Sequence, residues 1–241
     1  MPTEILDPAL PVEGWLEAQP VRIQYQPGNL EGVMTSPAEA TGIVIFVHSR
    51  IATRRARHNR YLTEFLARRK FVVLEVGLLS QEEETAGTDL AACFENHPTQ
   101  LAGRLVACAQ WVRRQRTLQP LPLGCLGFGL GGTSVLMAAA ALTAAIDALV
   151  VADALPDLVG NRLANILTPT LLVVSDTSDI ERRMNEIACA RLRCEKRLEV
   201  VPGAITLING DARDRVVALA SAWFQRHLRP RTDLAPDPVM N

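Results

Sequence analysis

Short apolar runs alternate with longer amphipathic segments along most of this chain. Gly42–His48 is apolar almost throughout, which is typical of a strand covered on both faces. Runs of this kind predict strands over 21–26, 31–35, 42–48, 71–76, 123–128, 146–152, 169–174 and 197–201. Segments with apolar residues at helical spacing predict helices over 60–69, 99–115, 131–141, 180–193 and 211–227.

Repeated strand–helix units predict an α/β fold, a mostly parallel central sheet with helices on both faces. The first two strands are expected to form an antiparallel pair that turns at Pro27-Gly28-Asn29. We predict one domain over residues 21–228, preceded by an extension over 1–20. The Pro-rich tail over 229–241 has little to bury and is expected to be disordered. In such sheets, binding and catalytic sites lie at the carboxyl ends of the strands.

Composition narrows the choice of partners. The chain has 241 residues, a formal net charge of −1 and 5% aromatic residues, which argues against nucleic-acid binding. No apolar stretch approaches the roughly 20 residues of a membrane span, and the N-terminus lacks a secretory-signal pattern. The five cysteines show no CxxC spacing, which favours free thiols in a reducing compartment, the cytoplasm by default.

Four segments resemble the dienelactone hydrolase-like branch of the α/β-hydrolases. They are Gly42–Arg50, Arg54 with Asn59–Tyr61, Pro122–Thr133 and Cys189–Ile205, and the last is the longest. The resemblance covers roughly Val21 to Leu228. It implies an α/β-hydrolase fold with a Gly-x-Ser-x-Gly nucleophile elbow, an acid after a later strand and a histidine after the last strand.

The catalytic positions of that family are degenerate in this chain. The elbow serine falls on Gly129, within Gly127-Phe128-Gly129-Leu130-Gly131, and glycine carries no nucleophile. The histidine falls on Thr206, whose hydroxyl is too weak a base to accept a proton near neutral pH. The acid falls near Ser178, with Asp176 and Asp179 on either side. We therefore predict a triad that has lost its function.

The same region supplies candidate ligand-binding positions: His48, Ser49, Arg54, Arg60, Gly129 and Leu130. The arginines belong to a basic cluster over residues 50–60, which is either an anion site or a solvated loop that Glu82–Glu84 compensate. His58, His97 and His227 are interpreted as structural or solvated. No histidine has a partner at metal-ligand spacing, and we predict neither a metal site nor a cofactor.

A second interpretation of the glycines is open. Gly127, Gly129 and Gly132 also match GxGxxG between a strand and a helix, and Asp153 follows Gly132 by 21 residues. That spacing is typical of a dinucleotide-binding fold. Against it, the motif follows several strands, whereas a dinucleotide-binding domain usually opens with it.

Loss of nucleophile and base together favours a pseudoenzyme: a hydrolase scaffold kept to bind a protein partner or a small ligand, with anionic ligands among the candidates. The alternatives are a residual ester or lactone hydrolase and the dinucleotide-binding module.

Overall fold

A computed structural model of the chain describes residues 17–25, 28–48, 56–141, 145–205 and 210–229. Its strands are β1 (Glu17–Tyr25), β2 (Gly28–Ser36), β3 (Gly42–His48), β4 (Phe71–Gly77), β5 (Leu123–Phe128), β6 (Ala148–Ala152), β7 (Thr170–Ser175) and β8 (Lys196–Val201). Its helices are α1 (Ala56–Ala67), α2 (Gln81–Thr85), α3 (Leu90–Asn96), α4 (Pro98–Arg114), α5 (Leu130–Ala141), α6 (Asp179–Arg191) and α7 (Gly210–His227), with a 3₁₀ segment over Pro156–Asn165.

The strands form one sheet in the order β1-β2-β4-β3-β5-β6-β7-β8. β1 and β2 pair antiparallel, β2 pairs antiparallel with β4, and the remaining pairs are parallel. The predicted α/β class, with a mostly parallel sheet, is therefore confirmed. β1 begins at Glu17 rather than at 21, so the folded part of the chain reaches into the segment that we assigned to an extension.

Two apolar cores cover the two faces of the sheet. One contains side chains of α4, α5 and α6, and the other contains side chains of α1 and α7. Every residue of β3 and of β7 is buried, which explains their unbroken apolar runs. The short helices α2 and α3 and the 3₁₀ segment were not predicted, because each is too short to show a helical period.

Candidate functional site

The strand order places a crevice between β3 and β5. After β3 the chain crosses to β4 on one side, and after β5 it crosses to β6 on the other side. In open α/β sheets, ligands bind where the strand order reverses in this way, outside the carboxyl ends of the two strands. β5 ends at Phe128 at this point, and α5 begins two residues later at Leu130. Ser49 and Arg54, in the segment after β3, lie outside the described residues.

The turn from β5 to α5 has the backbone of a nucleophile elbow. Gly129 has a φ of +54°, its N–H donates to the carbonyl oxygen of Ala152 at 2.9 Å, and its carbonyl accepts from the N–H of Thr133 at 3.0 Å. A Cβ on Gly127 would lie 2.7 Å from the carbonyl carbon of Gly131, closer than real side chains approach backbone. Gly127 is therefore required by the close approach of strand and helix.

Gly129 at the apex is under no such constraint. A Cβ built there meets no atom within 4 Å, so a side chain would project into open space. Glycine leaves that space empty and supplies no nucleophile. The first N–H groups of α5, beginning with that of Leu130, have no acceptor within the helix. The elbow can therefore bind an electronegative atom through these N–H groups, but Gly129 has no side-chain atom that could attack an adjacent carbon.

Among the described residues, the hydroxyl and thiol groups of α5 and β5 next to Gly129 are not free to act as a nucleophile. Thr133 and Ser134 are fully buried, and their hydroxyls donate to the carbonyl oxygens of Gly129 and Leu130 at 3.2 and 2.9 Å. Cys125 is buried within β5, and burial raises the pKa of its thiol far above its usual range. A thiol held neutral in this way is a poor nucleophile.

Two carboxylates at this end of the sheet bind the backbone of the segment that follows β8. Asp176, just after β7, accepts the N–H of Gly203 at 2.8 Å. Asp153, just after β6, accepts the N–H of Ser175 at 2.8 Å and also that of Ile205. Burial raises the pKa of the Asp153 carboxyl, and these hydrogen bonds act against that effect. Both groups position the residues that lead to Thr206, which itself lies outside the described residues.

The other predicted site residues are placed as follows. Ser178 is the N-cap of α6, where its hydroxyl accepts the N–H of Glu181 at 3.3 Å, and of its two acidic neighbours it is Asp176 that binds the segment after β8. Arg60 lies on the exposed surface of α1 and pairs with Glu64 at 2.7 Å. Glu83, one of the acids expected to compensate the basic cluster, forms two 2.7 Å hydrogen bonds with the buried Arg104.

His48 belongs to a buried polar cluster that sequence reasoning missed. Its Nε2 lies 3.3 Å from Oε1 of Glu75 on β4, and the same carboxylate accepts from Asn59 Nδ2 at 2.7 Å and from Thr63 Oγ1 at 3.4 Å. Burial alone raises the pKa of Glu75. The hydrogen bonds from His48, Asn59 and Thr63 outweigh burial, so the pKa lies below its usual range. The signal was Glu75 itself, a charged residue inside an otherwise apolar strand.

The structure also places the glycines of the predicted dinucleotide motif at the turn from β5 to α5. Gly127, Gly129 and Gly132 do lie between a strand and a helix, and Asp153 does follow the next strand. However, the carboxylate of Asp153 already accepts two backbone N–H groups, whereas a ribose-binding acid has to face the ligand.

The described part of the chain contains neither a cluster of metal ligands nor a membrane-length apolar helix. No group of three or more His, Cys, Asp or Glu side chains is arranged to hold a metal ion there. No helix there is both long enough and apolar enough to cross a membrane. All five cysteines are free thiols, as the sequence predicted.

Comparison with known proteins gives two sets of relatives. Two Mycobacterium tuberculosis proteins, whose name assigns them provisionally to the phosphoribosyl transferases, are 33% identical over 214 residues. That alignment covers 88% of this chain but 47% of each relative, so the chain spans about half the length of the curated relatives it matches. No family model matches the chain.

The solved structures are matched over nearly their full length. A dienelactone hydrolase from Anabaena variabilis is 33% identical, with a TM-score of 0.81 and coverage of 89% of this chain and 99% of that one. A dienelactone hydrolase-like promiscuous phosphotriesterase from metagenomic libraries has a TM-score of 0.73 at 14% identity, covering 89% of this chain and 100% of that chain, which shows the fold alone. The fold, the elbow and the 33% identity to the Anabaena variabilis enzyme agree: the chain belongs to the dienelactone hydrolase-like branch of the α/β-hydrolases.

Proposed function

We propose that this chain is a non-catalytic member of its family, which keeps the hydrolase scaffold to bind a small ligand or a protein partner. Gly129 carries this proposal, because it occupies the apex of an otherwise complete elbow and leaves the nucleophile's position empty. The sequence adds a second loss, since Thr206 stands where the family has its general base. An elbow without nucleophile and base retains at most a residual acceleration of about 10³–10⁴ over water.

The remaining elbow chemistry favours a ligand with an exposed oxygen. The N-terminus of α5 presents backbone N–H groups to the crevice, and its dipole favours negative charge. The open space above Gly129 lets a carbonyl or carboxylate oxygen approach the backbone more closely than it could past a serine side chain. We therefore propose a carbonyl- or carboxylate-bearing ligand at this point. The free thiols fit a cytoplasmic location.

Phosphoribosyl transfer, the activity in the name of the mycobacterial relatives, is not carried over to this chain. The chain corresponds to less than half of those proteins, and it folds as an α/β-hydrolase.

Ester turnover tests the proposal directly. The purified chain is assayed with short-chain p-nitrophenyl esters and a simple enol-lactone, beside buffer and a Gly129→Val variant whose side chain fills the space over the elbow. We expect the same rate in all three. Saturable turnover that Gly129→Val abolishes would show that the elbow still performs hydrolysis, and the alternative of a residual hydrolase would then replace this proposal. Saturable NAD(P)H fluorescence that the same variant abolishes would favour the dinucleotide alternative.

A further inference from the structure

A second cavity lies on the other side of β3, away from the elbow. Its volume is about 350 Å³, within the roughly 300–1,000 Å³ typical of small-molecule sites. β1, β2, β3 and β4 all contribute to its walls. No residue of the β5–α5 elbow is among the described residues that line it, so the cavity does not depend on what the elbow does.

The polar part of the lining contains Glu75, His48 and the Arg22–Glu31 ion pair. Glu75 lines it, and the pKa of Glu75 lies below its usual range, so the carboxylate is ionised at neutral pH. Because a carboxylate only accepts, Nε2 of His48 carries the proton that faces it, and in the neutral imidazole Nδ1 is then an acceptor. His48 also lines the cavity, is 6% exposed, and leaves Nδ1 without a hydrogen-bond partner among the described residues.

Asn59, which also binds Glu75, likewise has a buried acceptor without a partner among the described residues. Its amide nitrogen donates to Glu75, so its Oδ1 points elsewhere, and that buried oxygen has no partner among the described residues either. Within the described part of the chain, neither Lys nor Arg forms an ion pair with Glu75, while the nearby Arg22 pairs with Glu31 at 3.5 Å. A largely buried carboxylate that neither Lys nor Arg pairs with among the described residues, beside unused acceptors, is complementary to a cation with N–H donors.

The other wall is aliphatic. Val33 of β2 lies directly opposite Glu75 in the sheet, and Pro20 of β1 lies opposite Val33. Val33 is 42% exposed, so its side chain presents apolar surface to the cavity. Apolar surface next to a carboxylate complements a molecule with an alkyl part and a charged amino group.

We propose that the cavity between β2 and the His48–Glu75 pair is a binding site for a small alkylammonium compound. The ammonium group would donate to Glu75 and to Nδ1 of His48, and the alkyl part would lie against Pro20 and Val33. The site is additional to the elbow, and the ester assay above does not bear on it.

Calorimetric titration of the full chain at neutral pH and low salt tests this site with n-butylammonium as the probe. Butanol, which has the same butyl chain, and butyrate, which has the same number of carbon atoms, are the matched comparisons. We expect saturable binding of n-butylammonium, with butanol and butyrate at least about tenfold weaker because neither supplies a cationic donor. Equal or tighter binding of butyrate, or no saturable binding of n-butylammonium, would overturn the proposal.

A variant at Val33 tests the same site without replacing Glu75, in case the loss of Glu75 disturbs folding. Val33→Lys places an ammonium group of the chain's own opposite Glu75, where cross-strand pairs interact, at a position exposed enough to accept it. We expect it to weaken n-butylammonium binding at least about tenfold, as Glu75→Gln should. Val200→Lys, the same change at an equally exposed valine of β8 on the opposite edge of the sheet, is the matched control and should bind as the unchanged chain does. Unchanged affinity in Val33→Lys and Glu75→Gln would show that the probe binds elsewhere.

Discussion

The elbow and the His48–Glu75 cluster, on either side of the same strand, differ in what their structure depends on. At the elbow, backbone packing constrains the glycines at 127, 131 and 132, while the apex at 129 touches nothing. In the cluster, side-chain hydrogen bonds hold Glu75 in place. The elbow's shape is thus maintained by the packing of Gly127, Gly131 and Gly132, and the side chain at position 129 does not contribute to it. The residue at the apex can therefore change while the elbow keeps its backbone form.

The largest expected effect is a difference in stability between substitutions at Gly127, which is closely packed, and at Gly129, which is not. In Gly127→Ala the new methyl group would lie 2.7 Å from backbone atoms of Gly131 and Gly132, which cannot move without shifting α5. We expect a loss of about 3 kcal/mol in the free energy of unfolding, at the upper end of overpacking effects. Gly129→Ala, the matched control, should lose only about 1 kcal/mol, because its cost is the left-handed backbone alone. Urea denaturation measures both, and equal losses would contradict the distinction between the two positions.

The second prediction concerns the cluster. Glu75→Leu removes the acceptor for the buried donors of His48 and Asn59 and for the hydroxyl of Thr63. Unsatisfied buried donors are costly, so we expect a loss of about 2 kcal/mol in the free energy of unfolding. Glu31→Leu is the control on the neighbouring strand, because Glu31 forms a largely exposed ion pair with Arg22, and it should cost less than about 0.5 kcal/mol. A similar loss in both variants would mean that the cluster contributes no more than a surface pair.

The contribution of Glu75 to stability should also depend on pH. The pKa of Glu75 in the folded chain lies below its ordinary value of 4.5, so its ionised form stabilises the fold above pH 4.5. That stabilisation is lost as the pH falls from 4.5 through the folded-state pKa. The stability advantage of the unchanged chain over Glu75→Gln should therefore be constant near neutrality and shrink below pH 4.5. Urea denaturation over this pH range checks it, and an advantage that grows in acid would contradict the direction of the shift.

Sequence patterns predicted the fold well because the buried strands are nearly uniform in polarity. Gly42–His48 and Leu123–Phe128 were placed with the bounds that the structure has, since each is bounded by a sharp change in character. The start of β1 was missed because Glu17–Pro20 is exposed and carries no apolar alternation. These residues are in a strand because they pair antiparallel with β2. A local sequence pattern does not show which strand a segment will pair with, so this part of β1 was not predicted.

The candidate site was predictable where the backbone pattern is local. Gly129 was placed at the apex from the glycines on either side of it. The hydrogen bond from Gly203 to Asp176 joins residues 27 apart, and the bond from Asn59 to Glu75 joins a helix to a strand. Contacts of that kind depend on how the elements pack, so the part played by Asp176 and the His48–Glu75 cluster emerged only from the structure.

Placing a serine at position 129 is expected to have the smallest effect on stability, and it tests the chemistry of the elbow most directly. Gly129→Ser fits the open space, so its cost is the left-handed backbone, about 1 kcal/mol in the free energy of unfolding. We expect no ester turnover from this single change, because a serine hydroxyl still needs a base and position 206 is threonine. Gly129→Ser with Thr206→His, assayed on the same p-nitrophenyl esters, is expected to restore a trace of activity. Thr206→His alone is the control and should be inactive. Strong turnover from Gly129→Ser by itself would show that another group near the elbow already acts as the base, and that the chain has lost its nucleophile only.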